Sequence, residues 1–345
     1  MFVNLFKLYW FAALATLFIW ILSYFLGGVS ALTTVAILTL LEVTFSADNA
    51  VVNSTVLVKL SPFWRSIFLT VGIVIAVFVV RFMLPITVVM IGSSLSFNEV
   101  VNLAFNNPAS YAEHLQHAAP IISSFGGTFL LLIALSFFID YQKETHWLKW
   151  LEPHLGKLGR YENFNTFIML TTALVLYLTV DPSMRTVVLL ASICSMILHS
   201  GLGLLDIALS RGRSSIKHKV GWAAFVSFLY LEVLDASFSL DGVVGAFAIT
   251  SNVVLIMLGL GAGAVWVRSM TVHMVRTGVL KTYIFLENGA HWAIAFLGSV
   301  MLLELYHIQL PEWVVGSAGL FFVVMAVIWS RRLNSKKARQ QIREA

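Results

Sequence analysis

Ten runs of about twenty residues carry almost no charge, and this leaves few folds open to the chain. A helix needs roughly 20 apolar residues to cross the hydrocarbon core of a bilayer. Inside lipid every backbone N–H and C=O must be satisfied within the protein, which for separate runs means helices. The runs lie at 9–27, 32–58, 65–91, 120–139, 164–181, 186–205, 221–249, 252–275, 283–305 and 312–330. Only 11% of the 345 residues are Asp, Glu, Lys or Arg, and mean hydropathy is +0.88. A soluble domain carries about 25% charged residues, so a soluble enzyme, a disordered tail and a nucleic-acid binder are excluded. The expected fold is all-α, a polytopic membrane helix bundle of about ten spans in a single membrane domain. The apolar run after Lys7 is long enough to span and lacks a small-residue cleavage site, so it reads as an uncleaved first helix. A single cysteine, Cys194, allows no intrachain disulfide.

Charge places the loops. Nineteen of the 22 lysines and arginines fall at the N-terminus, after the second, fourth, sixth and eighth spans, and at the C-terminus. Arg185 alone falls on the opposite side, while Arg81 and Arg268 lie inside spans. By the positive-inside rule both termini are expected in the cytoplasm. The basic tail 331–345 reads as an anchor on anionic lipid. The segments 93–119 and 141–163 read as loops too short to hide a soluble domain.

A motif occurs twice. Glu42-Val43-Thr44-Phe45-Ser46-Ala47-Asp48-Asn49 and Asp235-Ala236-Ser237-Phe238-Ser239-Leu240-Asp241-Gly242 align without a gap as acid-x-x-Phe-Ser-x-Asp. Each is followed in the next span by a Val-Arg-x-Met element, at Arg81 and at Arg268. The expected topology sends the first motif helix inward and the second outward. The halves, about 9–139 and 186–305, are therefore expected to be inverted repeats with a binding site where they meet, as in secondary transporters.

Acids in a bilayer need partners. An ionised carboxylate costs about 2.5–3.5 kcal/mol at the centre of a span. Pairing Glu42, Asp48, Asp235 and Asp241 with Arg81 and Arg268 leaves two negative charges, before Glu232 is counted. A divalent cation balances them. Glu42, Ser46, Asn49 and Asn53 share one helical face, whereas Asp48 lies about 120° from Glu42, as Asp241 does from Asp235. Two arrangements follow. Either the helices unwind near Ser46-Ala47 and Ser239-Leu240 so that all four acids converge, or only Glu42 with Asn49 and Asp235 with Ser239 face the site. The donors are oxygens, with Ser46, Asn53 and Ser239 as additional ligands, and such sets suit Mn²⁺, Ca²⁺ or Mg²⁺. Glu232 and Glu287 are candidates for a gate or proton relay. His199 and the Gly259, Gly261, Gly263 stripe read as packing, and His114 and His117 as a solvated turn.

Leu41-Glu42-Val43 through Ser46-Ala47-Asp48-Asn49-Ala50 resembles the first signature of the TerC family of integral membrane proteins, within the LysE-type transporters. Asp235-x-x-Phe238-Ser239-Leu240-Asp241-Gly242 through Phe247-Ala248-Ile249-Thr250 resembles its second. The stretch from Tyr141-Gln142-Lys143 to Trp147-Leu148-Lys149-Trp150 is similar to a branch known only as a domain of unknown function. The resemblance implies a bacterial inner-membrane protein linked to manganese export, tellurite resistance and metal supply to exported proteins. It assigns metal binding to Glu42, Asp48, Asn49, Asp235 and Asp241. Gly242 stands where the family commonly has Ser, which removes one hydroxyl ligand. Mn²⁺ as the favoured ion comes from this resemblance, with Ca²⁺ the other oxygen-seeking candidate.

The expected function is outward transport of a divalent metal by alternating access, with membrane lipid and the metal ion as partners and protons as the coupling ion. No organic cofactor is expected. No Ser/His pair, HExxH or nucleotide loop supports an enzyme. The alternative is a membrane scaffold in tellurite-type stress resistance, with the acids in structural arginine pairs and the Arg211–Lys219 loop and basic tail as docking sites. Oligomeric state is left open.

Overall fold

The computed structural model describes residues 2–161, 163–210, 218–247 and 249–344; the side chains of 2–8, 210, 240, 241, 312, 337–339 and 341–344 fall outside that description. It is 84% helical, with no β-strand among the described residues. Among the described residues seven helices are long and apolar enough to cross a membrane: Tyr9–Phe45, Pro62–Ser93, Pro108–Phe138, Arg185–Leu209, Gly221–Ala246, Val253–Thr277 and Trp313–Lys336. Each of the ten expected runs coincides with helix over most of its described residues.

Seven and ten differ for identifiable reasons. The first of the seven holds two expected spans. Helix α1 (Phe2–Phe45) breaks at Gly27 (φ −158°, ψ 26°) and Gly28 (φ 64°, ψ −152°), and the second of these conformations belongs to glycine. Contacts with α12 (Val253–Thr277) show the chain reversing there. Tyr9 stacks on Trp266 and meets His273, and Thr16 accepts from Trp266 Nε1 at 2.8 Å, so α1 runs against α12 before the break. After it, Thr39 donates to the Gly259 carbonyl at 3.2 Å and Glu42 lies against Gly263, so the two run together. Two further runs miss on length or polarity. Helix α9 (Phe164–Thr179) has 16 residues, and α14 (Leu286–Glu304) carries Glu287, Asn288, His291 and Glu304.

The segment 93–119 is not a loop. It folds as α6 (Phe97–Asn106) and the first turns of α7 (Pro108–Phe138). Ser96 and Glu99 cap α6 reciprocally, and Asn107 with Pro108 starts α7; these are strong local start signals. Segment 141–163 contains the short helix α8 (Glu152–Leu158), and the basic tail continues α15 (Glu312–Glu344). Most of the expected Arg211–Lys219 docking loop, residues 211–217, lies outside the described residues.

Three helices form the centre: α7, α11 (Gly221–Ala246) and α12, each about two-thirds buried. Leu130, Leu234, Leu260, Ile294 and Met301 belong to their common hydrophobic cluster. Close approach depends on glycine. A Cβ on Gly259 would stand 2.5 Å from Leu38 Cβ, and one on Gly127 would stand 2.9 Å from the Gly298 carbonyl oxygen, the small-residue packing of membrane helices. The outer helices α1 and α15 expose large apolar groups such as Phe25 (80%) and Phe321 (58%).

Candidate functional site

The two motif helices are built differently. The first is interrupted at Ser46 (φ −99°, ψ 20°), where α1 ends and α2 (Ala47–Leu57) begins, although Ser46 N→Glu42 O and Ala50 N→Ser46 O bonds persist. The second, α11, runs without interruption through Ser239-Leu240. Of the arrangements left open by the sequence, unwinding at both motifs is not the one seen: the break is one residue long and falls in the first motif.

Each half pairs its own acid with its own arginine. Arg81 Nη2 donates to Glu42 Oε1 in a buried ion pair. Arg81 lies on a π-helical stretch, Ile75–Met83, that follows α3 (Pro62–Leu69) and α4 (Val71–Val74), and its Nη1 donates to the Ala76 carbonyl at 2.9 Å. Arg268 on α12 grips Glu232 through both oxygens (2.9 and 2.8 Å) and Asp235 Oδ2 (3.0 Å). Its guanidinium lies over the Phe68 ring and against Gly72. Such forked contacts are the strong form of the carboxylate bond. Glu42 and Asp235 occupy the same motif position, as do Arg81 and Arg268.

Across the halves, Asn49 Nδ2 donates to Asp235 Oδ1 at 3.1 Å, and Asn53 Nδ2 donates to Asn49 Oδ1 at 2.9 Å. At the equivalent position in the other half stands Gly242, where a Cβ would lie 3.7 Å from Glu42 Oε2. A cavity of about 90 Å³ fills that side, lined by Glu42, Ser46, Asp48 and Gly242 with Leu297 of α14 and Gly319 of α15. Ser46 Oγ donates to Glu42 Oε1 at 3.3 Å.

Asp48 lacks a cationic partner among the described residues. Its Oδ1 accepts from the Asn49 amide at 2.9 Å, and its other oxygen lies against Gly319. Around this centre Glu42, Asp48, Glu232 and Asp235 are 4–8% exposed, and Arg81 and Arg268 are 3% and 1% exposed. Counted with every acid ionised, these four acids and two arginines carry a formal charge of −2. Asn53 Oδ1 and Ser239 Oγ are buried without a hydrogen-bond partner.

Glu42, Ser46 and Asp48 share one cavity, whereas Asp235 turns to Asn49 and Arg268. Among the described residues no three His, Cys, Asp or Glu side chains form a ready-made metal cage. The Asp241 side chain lies outside the described residues. Glu232, expected as a gate or relay, sits in the fork of Arg268. Glu287 is exposed at the start of α14, with its carbonyl 2.8 Å from His291 Nδ1. His199 packs edge-on to Phe129, and His114 Nδ1 lies 2.9 Å from Ser93 Oγ.

Three features escaped the sequence reading. The π-helical stretch has no compositional mark. Gly316 and Gly319, which bring α15 onto Phe45 and Asp48, were visible as Gly-x-x-Gly in the last span. Glu152 is buried at 1% exposure in a segment that reads as a loop.

Fold and site together define an all-α polytopic membrane protein whose core encloses an acid–arginine centre. The chain belongs to the DUF475 family, described as protein of unknown function, whose pattern matches residues 47–337. Comparison with curated proteins and with solved structures finds no match.

Proposed function

We propose that this chain is a divalent-cation transporter of the bacterial inner membrane, related to the TerC proteins, with both termini cytoplasmic and Mn²⁺ as its favoured substrate. Ca²⁺ is the competing ion, because both take oxygen ligands. The observation that carries the reading is a buried centre of four acids and two arginines, formally −2, with Asp48 facing a cavity and unmatched by a described cation. A divalent ion supplies the missing charge, and the cavity offers it carboxylate and hydroxyl oxygens. Support for inverted repeats comes from the equivalent Glu42–Arg81 and Asp235–Arg268 pairs. In this reading the arginines hold the acids in place as the ion leaves, and protonation of the acids removes its ligands, so protons serve as the coupling ion. Export is tested by metal-dependent growth and cellular manganese content in Asp48→Asn cells. Manganese should accumulate above the wild-type level; an unchanged content overturns the assignment.

A second reading, a membrane scaffold, has one observation in its favour: Glu42, Glu232 and Asp235 are all held by arginines. It expects Asp48→Asn to leave metal content untouched and Glu42→Gln to destabilise the fold.

A further inference from the structure

One carboxylate gathers most of the polar ties between segment 140–163 and the bundle. Glu152 accepts from Lys143 Nζ (3.0 Å), Trp147 N (3.1 Å), Leu148 N (3.3 Å), Asn288 Nδ2 (2.7 Å) and Trp292 Nε1 (3.1 Å). Lys143 stands over the rings of Phe137 (3.9 Å) and Phe138 (4.8 Å) at the end of α7. Asn288 also donates to the Thr145 carbonyl at 3.2 Å. Three of the five donors belong to the segment, and the other two lie one turn apart on the same face of α14.

Helix α14 carries this tie to the site. Trp292 is followed by Ala293, and one turn later by Leu297, and both line the cavity that holds Glu42 and Asp48. A buried ion pair adds little net stability over an apolar filling of the same volume, whereas losing one member leaves a buried charge unmatched. Such a network therefore fixes a position more than it strengthens a fold. Its concentration on one side chain makes it separable: without the Glu152 charge, the Asn288–Thr145 carbonyl bond is the polar attachment of α14 to the segment that remains.

We propose that Glu152 is a positioning residue that sets α14, and through Ala293 and Leu297 holds the acid cavity closed toward the face bearing residues 140–163. Its consequence for transport rests on the reading above; the positional claim does not. The experiment uses the full chain in membrane vesicles with Cys194→Ser and Leu297→Cys. Labelling by a membrane-impermeant maleimide is timed from each face, and Mn²⁺ flux is measured in parallel.

Glu152→Gln should speed labelling from the 140–163 face about tenfold, as expected for loss of charge-assisted bonds of this strength. It should also raise the KM for Mn²⁺ more than it lowers the maximal rate. Trp292→Phe removes one donor, should give a smaller shift in the same direction, and serves where Glu152→Gln does not reach the membrane. A lowered thermal midpoint with unchanged labelling would reduce Glu152 to a structural role and overturn the proposal. Absence of Mn²⁺ flux in the unsubstituted chain would instead overturn the transport reading and leave the labelling result to stand alone.

Discussion

Asn49 donates its side-chain amide to Asp235 across the boundary between the two motif helices, at 3.1 Å. This bond joins the halves at the acid centre, and Asp235 also accepts from Arg268. Asn49→Ala leaves that carboxylate one donor short in a buried setting. A hydrogen bond to a charged group is worth about 1.5–3 kcal/mol. Asn49→Ala should therefore lower the thermal midpoint in detergent, while Asn49→Asp, which puts two acids face to face, should lower it further. Equal midpoints for Asn49→Ala and the unsubstituted chain would show that the bond contributes nothing.

How far this centre was legible in the sequence depends on which physical rule governs each residue. Arg81 and Arg268 were readable because a charge inside a span must meet an opposite charge, and each does. The reversal at Gly27-Gly28 coincided with a gap between two apolar runs. Helical periodicity, by contrast, places Asp48 away from Glu42 and says nothing of a one-residue break at Ser46, so the shared cavity could not be read from spacing. Nor could the fork of Glu232 on Arg268. Burial of Glu152 arises when a hydrophilic segment folds back on α14, a tertiary event with no local signature. The helical segment 93–119 differs again: Ser96 and Glu99 spell a capping box, but a helix that does not span leaves no long apolar run to mark it.

Removing one member of the Glu42–Arg81 pair separates charge from packing. Arg81→Met strands a buried carboxylate, and breaking such a pair costs about 3–5 kcal/mol. Adding Glu42→Met should recover most of that loss, because an apolar pair of similar volume is tolerated. Unfolding in denaturant should rank the unsubstituted chain and the double variant close together and Arg81→Met well below them. Transport should fail in both variants. A double variant no more stable than Arg81→Met would refute the pairing.

Acid should loosen the 140–163 segment. Burial acts to raise the Glu152 carboxyl, but the bonds from Lys143, Trp292 and the Leu148 amide hold it below the ordinary value of 4.5. A carboxyl depressed in the folded state contributes its stability above the unfolded value and loses it as pH falls through the folded one. Lys143, with Asp140 and Glu287 in its field, remains the cationic partner. The stability difference between the unsubstituted chain and Glu152→Gln should be constant above about pH 5 and shrink below 4.5. A difference that grows on acidification would reverse the assigned sign.

Gly319 offers the sharpest separation of folding from function. A Cβ there would stand 2.9 Å from Asp48 Oδ2 and 3.3 Å from its Cγ, closer than carbon and oxygen pack. Beside it, Leu320 and Phe321 are exposed on the outer face of α15, so the glycine is the residue that lets this helix meet the acid. Alanine favours a helix over glycine by about 1 kcal/mol, which offsets the local crowding. Gly319→Ala should thus fold with a thermal midpoint near that of the unsubstituted chain. Its Asp48 carboxylate, however, is pushed off α15 into the cavity, and a misplacement of this size costs about tenfold or more in function. The measurement is the KM for Mn²⁺ flux alongside the midpoint. A raised KM with an intact midpoint places Asp48 in the path of the ion; an unchanged KM removes Asp48 from it, whatever the other acids do.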